Sequence, residues 1–421
     1  MRILGIITCV MGLVMGGFFA AASTSADAAD NIKLGLIEPL SGPIAAVGTD
    51  ALQAFETAAE QVNAAGGVLG GRNIEIVGLD NAMSAEKTTQ QLKKAVDLGL
   101  KYIIQGIGSN HALNIIQFVN KHNKRNPDKV IMFLNHSAVT TAFTNELCSF
   151  WHFRFDANVD MKVAGLVTQM GRDSSIKKVY MINQNYAYGK SFQAAARALL
   201  KERTPGIELV GDELIVPFGK VQDFTPFIAK IKASGADTIL TGNWGPDLVR
   251  LVKFAAGANL PAQFYTIYGG LTSSVAGYGA DSAKISLKQI NEYHENHDGL
   301  SADSMAFGDA FLAKYKDTWY SDRQRWLILM LAEAIDKAGS DDPIAVGKAL
   351  EGLTFQGPLG EVQMRASDHQ IQMQLMVSSL TGEYSRPIMY KGNDFHIAFA
   401  TDGTISREDT TLPTTCDMQR P

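Results

Sequence analysis

From Ile32 onward the chain alternates short apolar runs with amphipathic stretches, the rhythm of strands separated by helices. In the first half, strands are expected at Ile32 to Ile37, Ile74 to Leu79, Tyr102 to Gln105 and Val130 to Leu134. Between the first two, Leu52, Phe55, Ala59 and Val62 recur at helical spacing within Asp50 to Ala65, and Gly66-Gly67 supplies a stop. The second half repeats the order, with strands at Lys178 to Ile182, Ile207 to Val210, Thr238 to Leu240 and Phe264 to Ile267, and helices at Lys190 to Lys201, Phe224 to Ser234 and Pro246 to Ala256. Residues 94–106 and 228–242 both read as helix, glycine, strand and glycine turn. This pattern predicts the α/β class, with two doubly wound, Rossmann-like lobes.

The strand-like stretch Ser149 to Phe155 is the expected first crossover between lobes. After Tyr268 come a strand-like piece, Ile285 to Tyr293, a strongly helical region, Met305 to Lys337, and β-rich alternation from Phe355 to Phe399. The expected division is lobe 1 at 30–152 plus about 285–355, lobe 2 at 153–284 plus about 356–400, and a tail at 401–421. Such a chain crosses between lobes more than twice, which makes a multi-strand hinge.

Composition changes the picture mainly at the N-terminus. Residues 1–28 combine Arg2, an apolar run from Ile3 to Ala22 and the small-x-small pattern Ala26-Asp27-Ala28, and read as a secretory signal peptide cleaved on export. A membrane anchor is the competing reading, because about twenty apolar residues nearly span a bilayer. Cys9 would leave with the signal. Cys148 and Cys416 remain, and in an oxidising compartment such a pair reads as a disulfide rather than two free thiols. No matching histidine spacing suggests zinc, and no metal or cofactor is expected. With 46% hydrophobic and 19% charged residues, the exported chain should be globular and soluble. A net charge of −5 without basic blocks gives no case for nucleic acid.

Open parallel sheets bind ligands beyond the carboxyl ends of their strands. The first such turn is Gly106-Ile107-Gly108-Ser109-Asn110-His111, where helix N–H groups and the Ser109 hydroxyl could hold an anionic head; helix capping by Ser109 or Asn110 is the alternative. As a dinucleotide motif it fails, because the third glycine of GxGxxG would fall on His111. The next strand leads into Asn135-His136-Ser137-Ala138-Val139. In the second half the corresponding ends carry Tyr186 and Tyr188, Trp244 and Tyr268. One lobe thus offers hydroxyls and the other aromatic rings, a combination suited to an amphipathic solute.

Three motifs carry a family resemblance: Ile37-Glu38-Pro39-Leu40-Ser41-Gly42-Pro43, Asn63 through Arg72 (NAAGGVLGGR), and Tyr186-Ala187-Tyr188-Gly189-Lys190. Over about Ile32 to Leu350 the chain resembles the type I periplasmic solute-binding proteins of ABC importers, in the leucine/isoleucine/valine-binding group. The resemblance implies a two-lobed receptor that closes on a small-molecule solute and presents it to the ABC permease and ATPase complex of the inner membrane. It implies amino-acid transport, with Ser109, Asn110, Ser137, Ala138, Val139, Tyr188, Trp244 and Tyr268 as the ligand-binding set and Val47 contributing from the first loop.

Carried over by position, the family's carboxylate-binding serine falls on Ser109, its backbone-contacting alanine on Ser137 and its threonine on Val139, which lacks the hydroxyl. The site tyrosine falls on Tyr188 and a second tyrosine on Trp244. The glutamate that meets a ligand ammonium falls on Tyr268, with no acid nearby in sequence. A buried ammonium without a carboxylate costs several kcal/mol, so among the small amphipathic solutes expected, an amino acid or an aromatic or aliphatic carboxylate, the acids or a small amide fit Val139, Trp244 and Tyr268 better than an ordinary branched-chain amino acid.

Enzyme signatures are absent: there is no GxSxG, HExxH, P-loop or CxxC, and the chain is not expected to be an enzyme. An exported hydrolase would have to use Ser109 with His111, or Ser137 with His136, neighbours that rarely aim at each other. A periplasmic ligand sensor on the same fold is the other alternative. His294-Glu295-Asn296-His297-Asp298 reads as a solvated loop rather than a metal site, and Asn135-His136-Ser137 matches a glycosylation sequon only formally.

Overall fold

Five parallel strands make the first sheet: β1 (Ile32–Glu38), β2 (Ile74–Asp80), β3 (Tyr102–Gln105), β4 (Met132–Asn135) and β5 (His152–Arg154), in the order β2-β1-β3-β4-β5. β3 and β4 are buried at every residue, as parallel strands covered on both faces must be. The helices α1 (Ala45–Ala64), α2 (Ala85–Asp97) and α3 (Ser109–Arg125) cover them. The computed structural model describes residues 30–216, 219 and 221–421, so the proposed signal peptide and Cys9 lie outside the described residues.

α1 begins at Ala45, ahead of the start expected at Asp50. Gly48 permits this, because a Cβ there would sit 2.1 Å from the Pro39 carbonyl oxygen. The apolar periodicity that marks the rest of the helix gives no hint of that first turn.

The second sheet has seven strands in the order β15-β14-β10-β9-β8-β6-β7. β6 (Lys178–Gln184), β7 (Glu208–Ile215), β8 (Thr238–Thr241), β9 (Gln263–Thr266) and β10 (Leu287–Asn291) run parallel; β14 (Leu375–Thr381) and β15 (Ala398–Ile405) add an antiparallel edge. Its helices are α4 (Val159–Arg172), α5 (Ala187–Arg203), α6 (Thr225–Ser234), α7 (Gly245–Gly257) and α8 (Thr272–Tyr278). The doubly wound two-lobe class read from the sequence is the class observed.

The lobe boundaries move. β10 belongs to the second sheet, so the return to lobe 1 falls after Asn291 rather than near 285. α9 (Ala302–Tyr315), α10 (Arg323–Ala338) and α11 (Pro343–Leu350) follow. The small sheet β11 (Thr354–Gly357), β12 (Gly360–Met364) and β13 (Ile371–Gln372) stays beside lobe 1, bridging to β5 through Arg154 and Gln370. The chain re-enters lobe 2 only at β14, and β15 takes in residues assigned to the tail. Period-two alternation identified these strands but could not say which sheet they join, because both sheets accept the same apolar pattern.

Three crossovers, at residues 155–158, 292–322 and 373–374, join the lobes, and the C-terminal segment makes a fourth return. Thr414 Oγ1 donates to the Thr144 carbonyl at 2.9 Å, Arg420 Nε to Glu351 at 3.0 Å, and a disulfide joins Cys148 to Cys416 across 268 residues. Trp326, wholly buried, donates its indole N–H to the Phe155 carbonyl at 2.9 Å and so locks α10 to the first crossover.

The region expected to be one helical stretch, Met305 to Lys337, is broken at residues 316–322. Lys316 ends α9 in the left-handed conformation, at φ 55°, and the next residues bend into the cleft. Among the described residues no helix is long and apolar enough to cross a membrane.

Candidate functional site

Between the lobes lies a cavity of about 90 Å³. Its walls are the turns that follow strands. Gly108, Tyr186 and Trp244 are the N-caps of α3, α5 and α7, Tyr268 follows β9, and Ser137 follows β4. Each helix starts just beyond a carboxyl strand end, which turns these side chains toward the opposite lobe.

Of the eight expected binding residues, Ser109, Ser137, Val139, Tyr188, Trp244 and Tyr268 line this cavity, and Val47 joins them. Asn110 is exposed and faces a separate outer groove with Pro43, Ile44 and Arg250. Ala138 is 1% exposed and packs into the core of the first lobe. One position along a helix or turn changes the direction of a side chain, which is why both neighbours fall away.

The aromatic wall is continuous. Tyr188 stands between Tyr186 and Tyr268, with ring centroids 5.8 and 6.0 Å away, and Trp244 Nε1 donates to the Tyr186 hydroxyl at 2.7 Å. Burial pushes the Tyr188 and Tyr268 hydroxyls well above the usual phenol range, so both stay protonated donors. The Tyr188 hydroxyl is buried with no hydrogen-bond partner among the described residues. Such orphaned donors are expected where a ligand or water completes the site.

The hydroxyl side is organised by a residue that sequence reading missed. Glu38, wholly buried at the end of β1, accepts from Gly106 N at 2.7 Å, Ile107 N at 3.2 Å and His136 Nε2 at 2.7 Å. The first N–H groups of the turn are therefore used internally, which leaves the start of α3, at Ser109, to meet a ligand. Gly106 is required there, since a Cβ would lie 2.6 Å from both His136 Nε2 and Ser137 N.

Ser137 and His136 do aim at each other, against expectation: Ser137 Oγ lies 2.9 Å from His136 Nδ1. The ring thus bridges the Glu38 carboxylate through Nε2 and the Ser137 hydroxyl through Nδ1. Ser137 Oγ also reaches its neighbour's carbonyl at 2.7 Å and accepts from Arg323 Nε at 2.9 Å. Its one proton thus has a protein acceptor in that carbonyl, and its lone pair has a donor in Arg323. Ser109 and His111 do not pair, for the His111 ring meets Thr88 Oγ1 at 3.0 Å, and burial holds it below the usual imidazole range.

Arg323, at the start of α10, was also missed. Its Nη1 donates to Glu292 at 3.0 Å and to Asn291 at 3.2 Å, while Asp156 sits 3.6 Å from Nε. Lys162 adds a second buried cation, 2.8 Å from Asp156 and 4.8 Å from the Tyr268 ring centroid. The four charged groups cancel formally, and they gather at the crossovers themselves. No local pattern announces the group, because Asp156 and Lys162, six residues apart, meet Glu292 and Arg323 from more than a hundred residues further along the chain.

Two acids reach the cavity wall, Asp50 from α1 and Asp317 from the bend before α10. Neither lies near Tyr268 in sequence, so the search along the chain around that position did not reach them. Burial outweighs the neighbouring Lys391 and raises Asp50 to about 6. The stretch expected to be a solvated loop begins packed and ends exposed: His294 is 3% exposed with its Nε2 2.9 Å from Thr401 Oγ1, whereas Asp298 is exposed. No metal-binding cluster of His, Cys, Asp or Glu occurs among the described residues. Asn135 of the formal sequon is wholly buried, bonded to the Ala138 carbonyl at 2.9 Å.

Residues 31–383 match the family model described as periplasmic binding protein. The Leu/Ile/Val-binding protein homolog 4 of Brucella abortus (strain 2308) is 30% identical over 410 residues, covering 95% of each chain. The leucine-, isoleucine-, valine-, threonine- and alanine-binding protein of Pseudomonas aeruginosa is 26% identical over 80% of this chain and 86% of its own. Among solved structures, the closed form of the corresponding five-amino-acid-binding protein from Brucella ovis superposes with a TM-score of 0.82 at 28% identity, covering 93% of this chain and 100% of that one. A solute-binding protein from R. palustris in complex with benzoate superposes at 0.75 with 19% identity, covering 92% and 99%, and shows likeness of fold.

Proposed function

The chain belongs to the periplasmic binding proteins, and on that premise we propose that it captures a small amphipathic carboxylate between its lobes in the periplasm and delivers it to an ABC permease and ATPase complex. The signal-like leader accords with that compartment. The observation that carries the reading is the cavity itself: one wall presents the Ser109 hydroxyl and the start of α3, and the other presents Tyr188 and Tyr268.

Ser109 and the helix N-terminus receive the carboxylate, an arrangement suited to a negative head. Tyr188, Trp244 and Tyr268 enclose the apolar body, and the unpartnered Tyr188 hydroxyl is a donor for a second polar group. Ser137 has a supporting role, because its hydroxyl is already engaged by His136 and Arg323. Amino acids and aromatic or aliphatic acids share this head-and-body chemistry, and the names of the relatives include binders of the first and the fold neighbours include a benzoate complex.

The test is a thermal-shift screen of the mature protein against leucine, valine, benzoate, isocaproate and a set of amides, followed by calorimetry on the ligands that stabilise. A ligand at a hundred times its Kd adds about 2.7 kcal/mol of stability. Ser109→Ala should weaken a carboxylate ligand by roughly ten- to a hundredfold, the worth of one charge-assisted hydrogen bond, whereas Ser137→Ala should cost less. Equal losses, or none at Ser109, would refute the division of roles. Chemical conversion of the bound ligand, followed by chromatography, would overturn the receptor reading in favour of a hydrolase.

A further inference from the structure

Asp50 and Asp317 face the cavity together, and the protein itself supplies their cation. Thr272 Oγ1 lies 3.3 Å from each carboxylate, and Lys391 Nζ contacts Asp50 and stands 2.7 Å from Asp317. Asp317 is nearly enclosed, with a side chain 6% exposed. Two carboxylates this close on a cavity wall repel each other and favour a cation between them.

Lys391 does not arrive there by chance rotamer. It sits at φ 53° in the connection between β14 and β15, and its backbone N–H donates to Asp317 Oδ1 at 3.1 Å. The flanking chain is clamped to the bend that carries Asp317: Thr318 N donates to the Met389 carbonyl at 2.7 Å, Met389 N to Thr318 Oγ1 at 2.9 Å, and Gly392 N to the Lys316 carbonyl at 2.9 Å. The ammonium is therefore held at the acid pair by the main chain as well as by its own charge.

We propose that Lys391 is a specificity-determining residue, a tethered ammonium that satisfies the Asp50–Asp317 pair so that the cavity accepts carboxylate solutes without requiring an amino group on them. This rests on the carboxylate-receptor reading above and names the substrate class within it. In a cavity lined by two uncompensated acids, a ligand ammonium would be the needed partner, and a plain carboxylate would meet repulsion. With Lys391 in place that demand is met before the ligand enters. The residue is not itself part of the cavity wall; it sets the charge that the wall acids present.

The experiment compares leucine with isocaproate, the same skeleton without the amino group, by calorimetry on the wild-type protein, Lys391→Met and Lys391→Arg. The wild type should bind the two within about tenfold of each other, and Lys391→Met should shift the ratio toward leucine by about tenfold or more, the worth of one charged hydrogen bond. Lys391→Arg, which keeps the charge, should keep the wild-type ratio. A wild type that prefers leucine by a hundredfold overturns the proposal even if the variants do not fold, and so does an unchanged ratio in a folded Lys391→Met. Failure of the wild type to bind leucine, isocaproate or benzoate would remove the receptor reading itself, and the proposal with it.

Discussion

The hydroxyl of Tyr268, on the second lobe, donates to the main-chain carbonyl of Ser137, on the first, at 3.2 Å. This hydrogen bond spans the cleft beside the cavity, so it exists only when the lobes are together. The Tyr268 ring is in turn held from behind by the Lys162 ammonium. Cleft closure and the buried charges of the crossovers meet at one side chain.

Tyr268→Phe should therefore keep the aromatic wall and lose the cross-cleft bond. An intramolecular hydrogen bond contributes about 0.5–1.5 kcal/mol, so affinity should fall by about two- to tenfold, mostly through faster dissociation. Stopped-flow release of bound ligand measures this directly. An unchanged off-rate would mean that the bond does not hold the closed form.

Replacing Arg323 tests the buried network. Arg323→Met leaves Glu292 and Asp156 with Lys162 as their remaining buried cation, and breaking a buried pair by removing one partner costs about 3–5 kcal/mol. The midpoint of urea unfolding should drop accordingly, and Arg323→Lys should recover part of the loss. A loss below about 1 kcal/mol would show that the crossovers are held together by packing around Trp326 instead.

Removing the Cys148–Cys416 disulfide should lower stability without touching affinity. The bridge closes a loop of 268 residues, and disulfides of this kind contribute roughly 2–5 kcal/mol. Neither cysteine lines the cavity. Calorimetric melting of Cys148→Ser/Cys416→Ser should show a lower Tm, while the ligand Kd stays within about twofold. A large change in Kd would tie the tail to cleft closure.

Burial raises Glu295 to about 8, against an ordinary value of 4.5. An acid whose pKa is raised by folding contributes stability that is fully present below its unfolded pKa and is lost as pH rises through the folded one. The stability of the wild type relative to Glu295→Gln, which cannot ionise, should therefore decline between about pH 5 and pH 9. Paired urea titrations across that range check it, and a flat difference would contradict the burial of this carboxyl.

Much of this was legible along the chain. Apolar runs located the central strands β1, β3, β4, β6, β8 and β9 to within about two residues, because a strand buried on both faces needs a continuous apolar run whatever its neighbours do, while the edge strand β7, partly exposed, extends five residues past its expected end. The strand-end rule pointed to Ser109, Tyr188, Trp244 and Tyr268, since a helix that follows a parallel strand starts at the same edge of every lobe. Asn110 and Ala138 were beyond its resolution, for the rule selects a turn and not a side-chain direction.

Other features had no local signature. Glu38 reads as one residue of a first-strand motif, yet its carboxylate organises Gly106, Ile107 and His136, which lie 68, 69 and 98 residues away. The bend at 316–322 is hidden inside a helical pattern, and it brings Asp317, Tyr320 and Arg323 to the cavity. The acid pair and Lys391 meet across 341 residues of chain. The sequence by itself determined the elements, the class of fold and the strand ends where a ligand could sit, because those depend on periodicity and short-range turn chemistry. Only the tertiary structure decided which charges face each other, because a buried ion is tolerable only beside its partner, and Glu292 with Arg323, like Lys391 with Asp50 and Asp317, finds that partner through the fold rather than at a neighbouring position.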